Sequence, residues 1–185
     1  MTTWLGWALG AAIVLQAGAL AGGDAPVDRV ADAIAAGEAA LADGKPAGLA
    51  AAARRLDRLS AHPIEGQADL AERWRVRGGA KDRGGPPMRG RALGPAYRGG
   101  QLTAGARIDI EQIFLGGEAA VIVVVPQAGR SLQMRVADVD QSAVCGQTVL
   151  SPKTTCRWLP IFTGRFRISV TNSGATTARY YLVSN

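Results

Sequence analysis

From about Gln101 the sequence falls into a two-residue rhythm that commits the second half of the chain to β-structure. Arg107-Ile108-Asp109-Ile110 alternates and Phe114 closes that segment. Leu132, Met134 and Val136 alternate with Gln133, Arg135 and Ala137, and Phe166, Ile168 and Val170 alternate with Arg165, Arg167 and Ser169. Such spacing puts apolar side chains on one face of an extended segment and polar ones on the other. Val121-Ile122-Val123-Val124-Val125, ended by Pro126, has no polar alternate, so it reads as a strand buried on both faces. A last strand follows the Asn172-Ser173-Gly174 turn, around Tyr180-Tyr181-Leu182-Val183. With two short pieces around the cysteines this makes about seven strands at close spacing, the pattern of an antiparallel β-sandwich.

The first half follows another rule. Residues 24–60 are alanine-rich, and Val27, Val30, Ala31, Ile34, Ala35 and Leu41 fall at helical spacing behind Asp24 and Pro26. Asp43-Gly44-Lys45-Pro46 breaks that helix, and a second runs from Pro46 to Leu59. Alanine stripes bury little area, so this hairpin needs the following domain or a partner to hold it. One more short helix is expected between Glu65 and Arg77, around Leu70 and Trp74. Beyond it the glycines and prolines of residues 78–100 describe a linker. The class is α+β, with residues 22–77 a helical region, 78–100 a Gly/Pro/Arg-rich linker and 101–185 the sandwich.

Residues 1–23 carry no charged side chain. The apolar stretch Leu5–Leu15, followed by Ala19-Leu20-Ala21, reads as a Sec-type signal peptide cleaved after Ala21, leaving a periplasmic or secreted protein with no transmembrane span. An uncleaved N-terminal anchor is the rival reading. Cys145 and Cys156, the two cysteines of the sequence, are expected to pair in an oxidising compartment.

At this point the C-terminal half resembles a family. Glu111-Gln112-Ile113-Phe114-Leu115-Gly116-Gly117-Glu118-Ala119, the Leu132–Val136 strand with Ala137-Asp138-Val139-Asp140, Cys156-Arg157-Trp158-Leu159-Pro160, Thr163-Gly164-Arg165-Phe166-Arg167-Ile168 and Tyr180-Tyr181-Leu182 resemble the bacterial pre-peptidase C-terminal domain, over roughly residues 95–185. The resemblance implies a jelly-roll-like sandwich carried by secreted proteins, often beside a protease. Such a module assists secretion, localisation or substrate binding and is not itself catalytic.

Catalytic material is scarce. His62 is the single histidine, placed by its Ala61-His62-Pro63 context at a helix end, and no Gly-x-Ser-x-Gly or paired-carboxylate motif is present. No enzyme activity and no cofactor are expected. Asp138 and Asp140 are weak candidates for a calcium site, which needs 6–8 oxygens; the alternative is a pair of solvated turn acids. Net charge is +6, and eight of the cations, Arg73, Arg75, Arg77, Lys81, Arg83, Arg89, Arg91 and Arg98, lie between residues 73 and 98 against one acid, Asp82. They are candidates for contact with an anionic membrane or envelope surface, with a solvated linker as the alternative; nucleic acid is not expected. Trp158 and Tyr181 are candidates for ligand stacking, the alternative for Trp158 being a core position over the disulfide. Of the Tyr180–Tyr181 pair, alternation sends one inward and the other out. The leading reading is an exported, non-catalytic binding or accessory module that engages an envelope or secreted protein, a polysaccharide or an anionic surface. The alternative is a structural or assembly subunit of an envelope complex, and an unfamiliar secreted hydrolase ranks below both.

Overall fold

The computed structural model describes residues 25–79, 94–128 and 131–185. The signal segment 1–21 and the cations Lys81, Arg83, Arg89 and Arg91 lie outside the described residues. The N-terminal region forms α1 (Pro26–Ala42), α2 (Pro46–Arg58) and α3 (Leu70–Arg77), with the two-residue strand β1 (His62–Pro63) between the last two. Proline opens both α1 and α2, where the missing N–H costs nothing. Asp69 caps α3, its carboxylate accepting the backbone N–H groups of Ala71 at 2.8 Å and Glu72 at 3.4 Å. Residues 65–69, expected to open that helix, form a turn and the cap instead.

Eight strands follow: β2 (Ala96–Leu102), β3 (Arg107–Phe114), β4 (Ala120–Ala128), β5 (Leu132–Ala137), β6 (Ala143–Thr148), β7 (Thr154–Trp158), β8 (Gly164–Asn172) and β9 (Ala178–Ser184). They build a five-stranded sheet in the order β1-β2-β9-β4-β7 and a four-stranded sheet in the order β3-β8-β5-β6. All pairings are antiparallel except β1 with β2. The seven strands expected after residue 101 are β3 to β9. The α+β class and the sandwich are what the structure shows.

Two cores share the five-stranded sheet. Ile122, Val124, Tyr180 and Leu182 point into the sandwich against Leu132, Met134, Val136, Phe166, Ile168 and Val170 of the other sheet. Val121, Val123, Val125, Tyr181 and Val183 point the opposite way, into a second core with Val27, Val30, Ile34, Leu56, Leu70 and Trp74 of the helices. The alanine-rich hairpin therefore has its partner in its own chain. The molecule is three layers: helices, five-stranded sheet, four-stranded sheet. Trp74 of α3 reaches across to α1 because Gly37 stands there; a methyl at Gly37 would overlap the indole ring.

The linker expectation is corrected at its C-terminal end. Gly99 and Gly100 lie inside β2, paired with Tyr181 and Tyr180 of β9. A side chain at Gly100 would collide with the Tyr180 ring, and one at Gly99 would press on Tyr181 at 3.1 Å. These glycines make room for aromatic rings of the neighbouring strand rather than breaking the chain. His62 is likewise not at a helix end: it sits in β1, its backbone N–H donating to Pro95 O at 3.3 Å.

Candidate functional site

The outer faces of the two sheets differ, and the uncovered one carries the candidate site. On the four-stranded sheet, alternation turns Arg107, Asp109 and Glu111 of β3, Gln133 and Arg135 of β5, and Arg165, Arg167, Ser169 and Thr171 of β8 away from the sandwich core. The register lines them up in rows across the strands. Arg107, Thr171, Gln133 and Thr148 form one row; Asp109, Ser169, Arg135 and Gly146 form the next; Glu111, Arg167, Ala137 and Ala143 form the third.

Most charges of this face are mutually satisfied. Arg107 Nε donates to Asp109 Oδ1 at 2.8 Å and its Nη2 to Ser169 Oγ at 2.8 Å, while Ser169 Oγ donates to Asp109 Oδ1 at 2.6 Å. These bonds, from Ser169 first and then Arg107, hold the Asp109 carboxyl below the usual carboxylate range. Glu111 receives Arg165 Nη1 at 3.0 Å and Arg167 Nη2 at 3.4 Å, and the two guanidiniums hold it low as well.

Arg135 differs. Its Nη2 donates to the Gln141 carbonyl at 3.0 Å, and it meets no carboxylate among the described residues. Beside it Gly146 has no side chain and nothing within 4 Å of where a Cβ would stand. The result is an open groove of about 410 Å³ lined by Arg107, Gln133, Arg135, Gly146, Gln147, Thr148, Ser169 and Thr171 with Met134 at its floor. Its walls offer guanidinium and amide donors, amide acceptors and hydroxyls that do both. The whole face sets four arginines against two carboxylates.

No family model matches the sequence, and no curated protein matches it. Among solved structures, the pre-peptidase C-terminal domain of a collagenase from Bacillus anthracis is similar at a TM-score of 0.41 with 13% identity, over 48% of this chain and 87% of that one. A periplasmic inhibitor of g-type lysozyme from Aeromonas hydrophila is similar at a TM-score of 0.38 with 17% identity, over 49% of this chain and 84% of that one.

The residues singled out from sequence are dispersed. Cys145 on β6 and Cys156 on β7 form a disulfide with Cα atoms 6.1 Å apart, joining the edge of one sheet to the edge of the other. Arg75, expected on an anionic-surface patch, is buried: Asp57 Oδ2 accepts from its Nη2 at 2.8 Å and Glu72 Oε2 from its Nη1, tying α3 to α2. Its guanidinium is spent inside the protein. Arg73 and Arg77 are exposed on α3, and Arg98 is half-buried on β2.

Of the tyrosine pair, Tyr180 points into the sandwich and Tyr181, the stacking candidate, points away from it but is buried by the helices, so it offers no open stacking face. Trp158 stands edge-on to Phe114 with ring centroids 4.8 Å apart and 5.3 Å from Phe166, at the end of the sandwich core. Asp138 closes a local turn, Oδ1 accepting the N–H groups of Asp140 at 3.0 Å and Ser142 at 2.9 Å. Among the described residues, no three His, Cys, Asp or Glu side chains converge as a metal site. The groove residues carry no signal in the sequence, because each is an ordinary polar alternate of its strand. The register that gathers them joins residues 107, 133, 146 and 171, far apart in the chain.

Proposed function

We propose that the protein is an exported, non-catalytic binding module that takes an acidic polysaccharide in the groove of its four-stranded sheet. The observation that carries this reading is Arg135: a guanidinium that meets no carboxylate among the described residues, beside the gap at Gly146, in a cleft lined by hydroxyls and amides. A carboxylate on a sugar ring supplies the missing counter-charge, and its hydroxyls match Gln133, Thr148 and Thr171. The cleft has no aromatic lining residue, which favours a charged polymer over a neutral one held by ring stacking. Export is supported by the apolar Leu5–Leu15 stretch and by a disulfide, a bond that persists in oxidising compartments. The same two features support a periplasmic or secreted site of action.

Calorimetric titration with a uronate-bearing polysaccharide, against uncharged dextran, tests the groove. We expect binding that weakens with salt, and a loss of about tenfold to a hundredfold in Arg135→Ala. Equal binding of the neutral polymer, or an unaffected variant, overturns it. Sequencing the protein recovered from envelope fractions tests export, with Gly22 as the expected first residue.

One observation favours the assembly reading. The outer edge of β3 has no strand beside it among the described residues, and an eight-residue edge can pair with another chain. A mature protein that stays monomeric at high concentration argues against that reading.

A further inference from the structure

Among the described residues, four arginines and two carboxylates share the open face, and the surplus charge is gathered at one residue. Arg107 pairs with Asp109, and Arg165 holds Glu111 at 3.0 Å, leaving Arg167 a longer contact of 3.4 Å to the same carboxylate. Arg135 meets no carboxylate among the described residues, so Arg135 and Arg167 carry the excess. They are diagonal neighbours: Arg135 stands opposite Ser169, and Arg167 is two residues away along β8. Outward side chains so related start roughly 7–8 Å apart, within the reach of two arginines.

Both guanidiniums meet at Gln141, in the β5–β6 connection. Its backbone carbonyl accepts from Arg135 Nη2 at 3.0 Å, and its side-chain Oε1 accepts from Arg167 Nη1 at 3.2 Å. The connection is built to present this residue. Asp138 O accepts the Gln141 N–H at 3.2 Å, and Asp138 Oδ1 accepts the N–H groups of Asp140 and Ser142, which fixes the turn. Gln141 then takes a φ of +64°, a left-handed position that favours glycine in such a hairpin. The side chain kept there against that preference is the one that reaches Arg167. Asp138 and Asp140 precede it and form no ion pair with either arginine among the described residues. A carboxylate in the place of the Gln141 amide would neutralise both guanidiniums. The amide orients them and leaves their charge standing.

We infer that Arg135 and Arg167, held by Gln141, form one fork for the oxyanion of an acidic sugar, a uronate carboxylate or a sulfate ester. The inference rests on the groove reading for Arg135 and deepens it, adding a second guanidinium and the residue that positions both. An oxyanion offers an acceptor oxygen to each guanidinium. The Arg167 side chain is 39% exposed, so salt weakens the contact.

Calorimetric titration with uronate-bearing, sulfated and uncharged polysaccharides tests the fork, together with heteronuclear NMR of the arginine Nε–H groups. We expect the Arg135 and Arg167 signals to move with one shared midpoint, since one oxyanion touches both. The tighter of the two charged polymers names the oxyanion. Arg167→Gln is expected to lose about tenfold in affinity, whereas Arg54→Gln, which removes the same charge from the exposed side of α2, stays within about twofold. Gln141→Glu is expected to lose about tenfold or more with no fall in melting temperature. Gln141→Gly keeps the carbonyl on Arg135 and relaxes the backbone, so about threefold in affinity is lost while the melting temperature holds or rises. A structural role alone would leave binding unchanged in both variants at position 141, and that result overturns the inference. So does an Arg167→Gln variant that binds as Arg54→Gln does. An Arg135 signal that moves without that of Arg167 overturns the fork and leaves the groove reading standing. Inorganic sulfate separates the two readings in the other direction. A parent that binds no polymer, yet whose two signals shift together on sulfate, would strike the groove alone; an Arg167 signal that neither polymer nor sulfate moves overturns the fork.

Discussion

The two sheets present their outer faces to different surroundings. Among the outward side chains of the five-stranded sheet, Tyr97, Val121, Val123, Val125, Tyr181 and Val183 are buried under the helices. Those of the four-stranded sheet include Arg107, Asp109, Glu111, Gln133, Arg135, Arg165, Arg167, Ser169 and Thr171, and no helix among the described residues covers them. The inner faces are alike in being apolar, with Ile122, Val124 and Leu182 on one and Leu132, Met134, Ile168 and Val170 on the other. Folding the sandwich therefore needs only the inner set, and the outer set decides what else each sheet meets. One outer face is a second core, and the other stays open among the described residues.

The sharpest way to break this comparison is to place one charge on each outer face. Val123 is fully buried between helices and sheet. Val123→Asp buries an unpaired carboxylate and is expected to cost more than about 4 kcal/mol, leaving the chain unfolded or insoluble. Gln133→Asp, outward on the open sheet, is expected to change stability by less than about 0.5 kcal/mol in urea denaturation. Similar losses for both would mean the open face is covered in solution. Next in size is the link between the sheets. Cys145→Ser/Cys156→Ser releases β6 from β7 and is expected to cost about 3 kcal/mol, read by urea denaturation against the parent and against the parent in reductant.

The sequence made one of these faces easier to read than the other. The uninterrupted Val121–Val125 run marked a strand buried twice, and the structure supplies the two layers that bury it. The helices and the seven later strands were legible because each rests on periodicity within ten or so residues. What escaped is non-local. Gly99-Gly100 looks like a chain breaker until Tyr180 and Tyr181 are placed against it from 80 residues further on. Arg75 looks like one cation of a basic run until Asp57 and Glu72 close on it. The groove was invisible for the same reason, since three cross-strand registers, not a motif, bring Arg107, Arg135 and Gly146 together.

The covering layer is fastened at its edge by Asp28, and removing that fastening sharpens the comparison further. Asp28 Oδ2 accepts from Arg157 Nη2 at 2.6 Å and Oδ1 from Thr155 Oγ1 at 3.2 Å, with Lys153 Nζ 3.8 Å away. Asp28→Ala leaves Arg157 and Thr155 without these bonds. Both cations keep some contact with water, so the expected cost is about 2 kcal/mol rather than that of a fully buried pair. Amide exchange should rise in α1 and β7 before it rises in the four-stranded sheet. Exchange that rises uniformly would mean the helices and sandwich open as one unit.

The smallest expected effect comes from a carboxyl beneath the helices. Glu38 of α1 is half-buried, receives a hydrogen bond from the Tyr181 hydroxyl and lies near Arg73 and Arg179. Burial outweighs the bond and the two cations and raises its pKa above the usual glutamate value of 4.5. Folding therefore favours the protonated form. That stabilisation is complete below the unfolded value near 4.5 and is lost as pH rises through the higher folded value. Glu38→Gln keeps the shape and removes the titration, so the parent minus variant difference in melting temperature should fall between pH 4 and pH 7. The corresponding change on the open sheet runs the other way. Asp109 is held low by Ser169 and Arg107, so Asp109→Asn should give a difference that grows as pH rises from below the ordinary aspartate value of 3.8. A Glu38→Gln difference that also grew with pH would mean Arg73 and Arg179 govern the carboxyl, and that water reaches beneath the helices as freely as it reaches the groove.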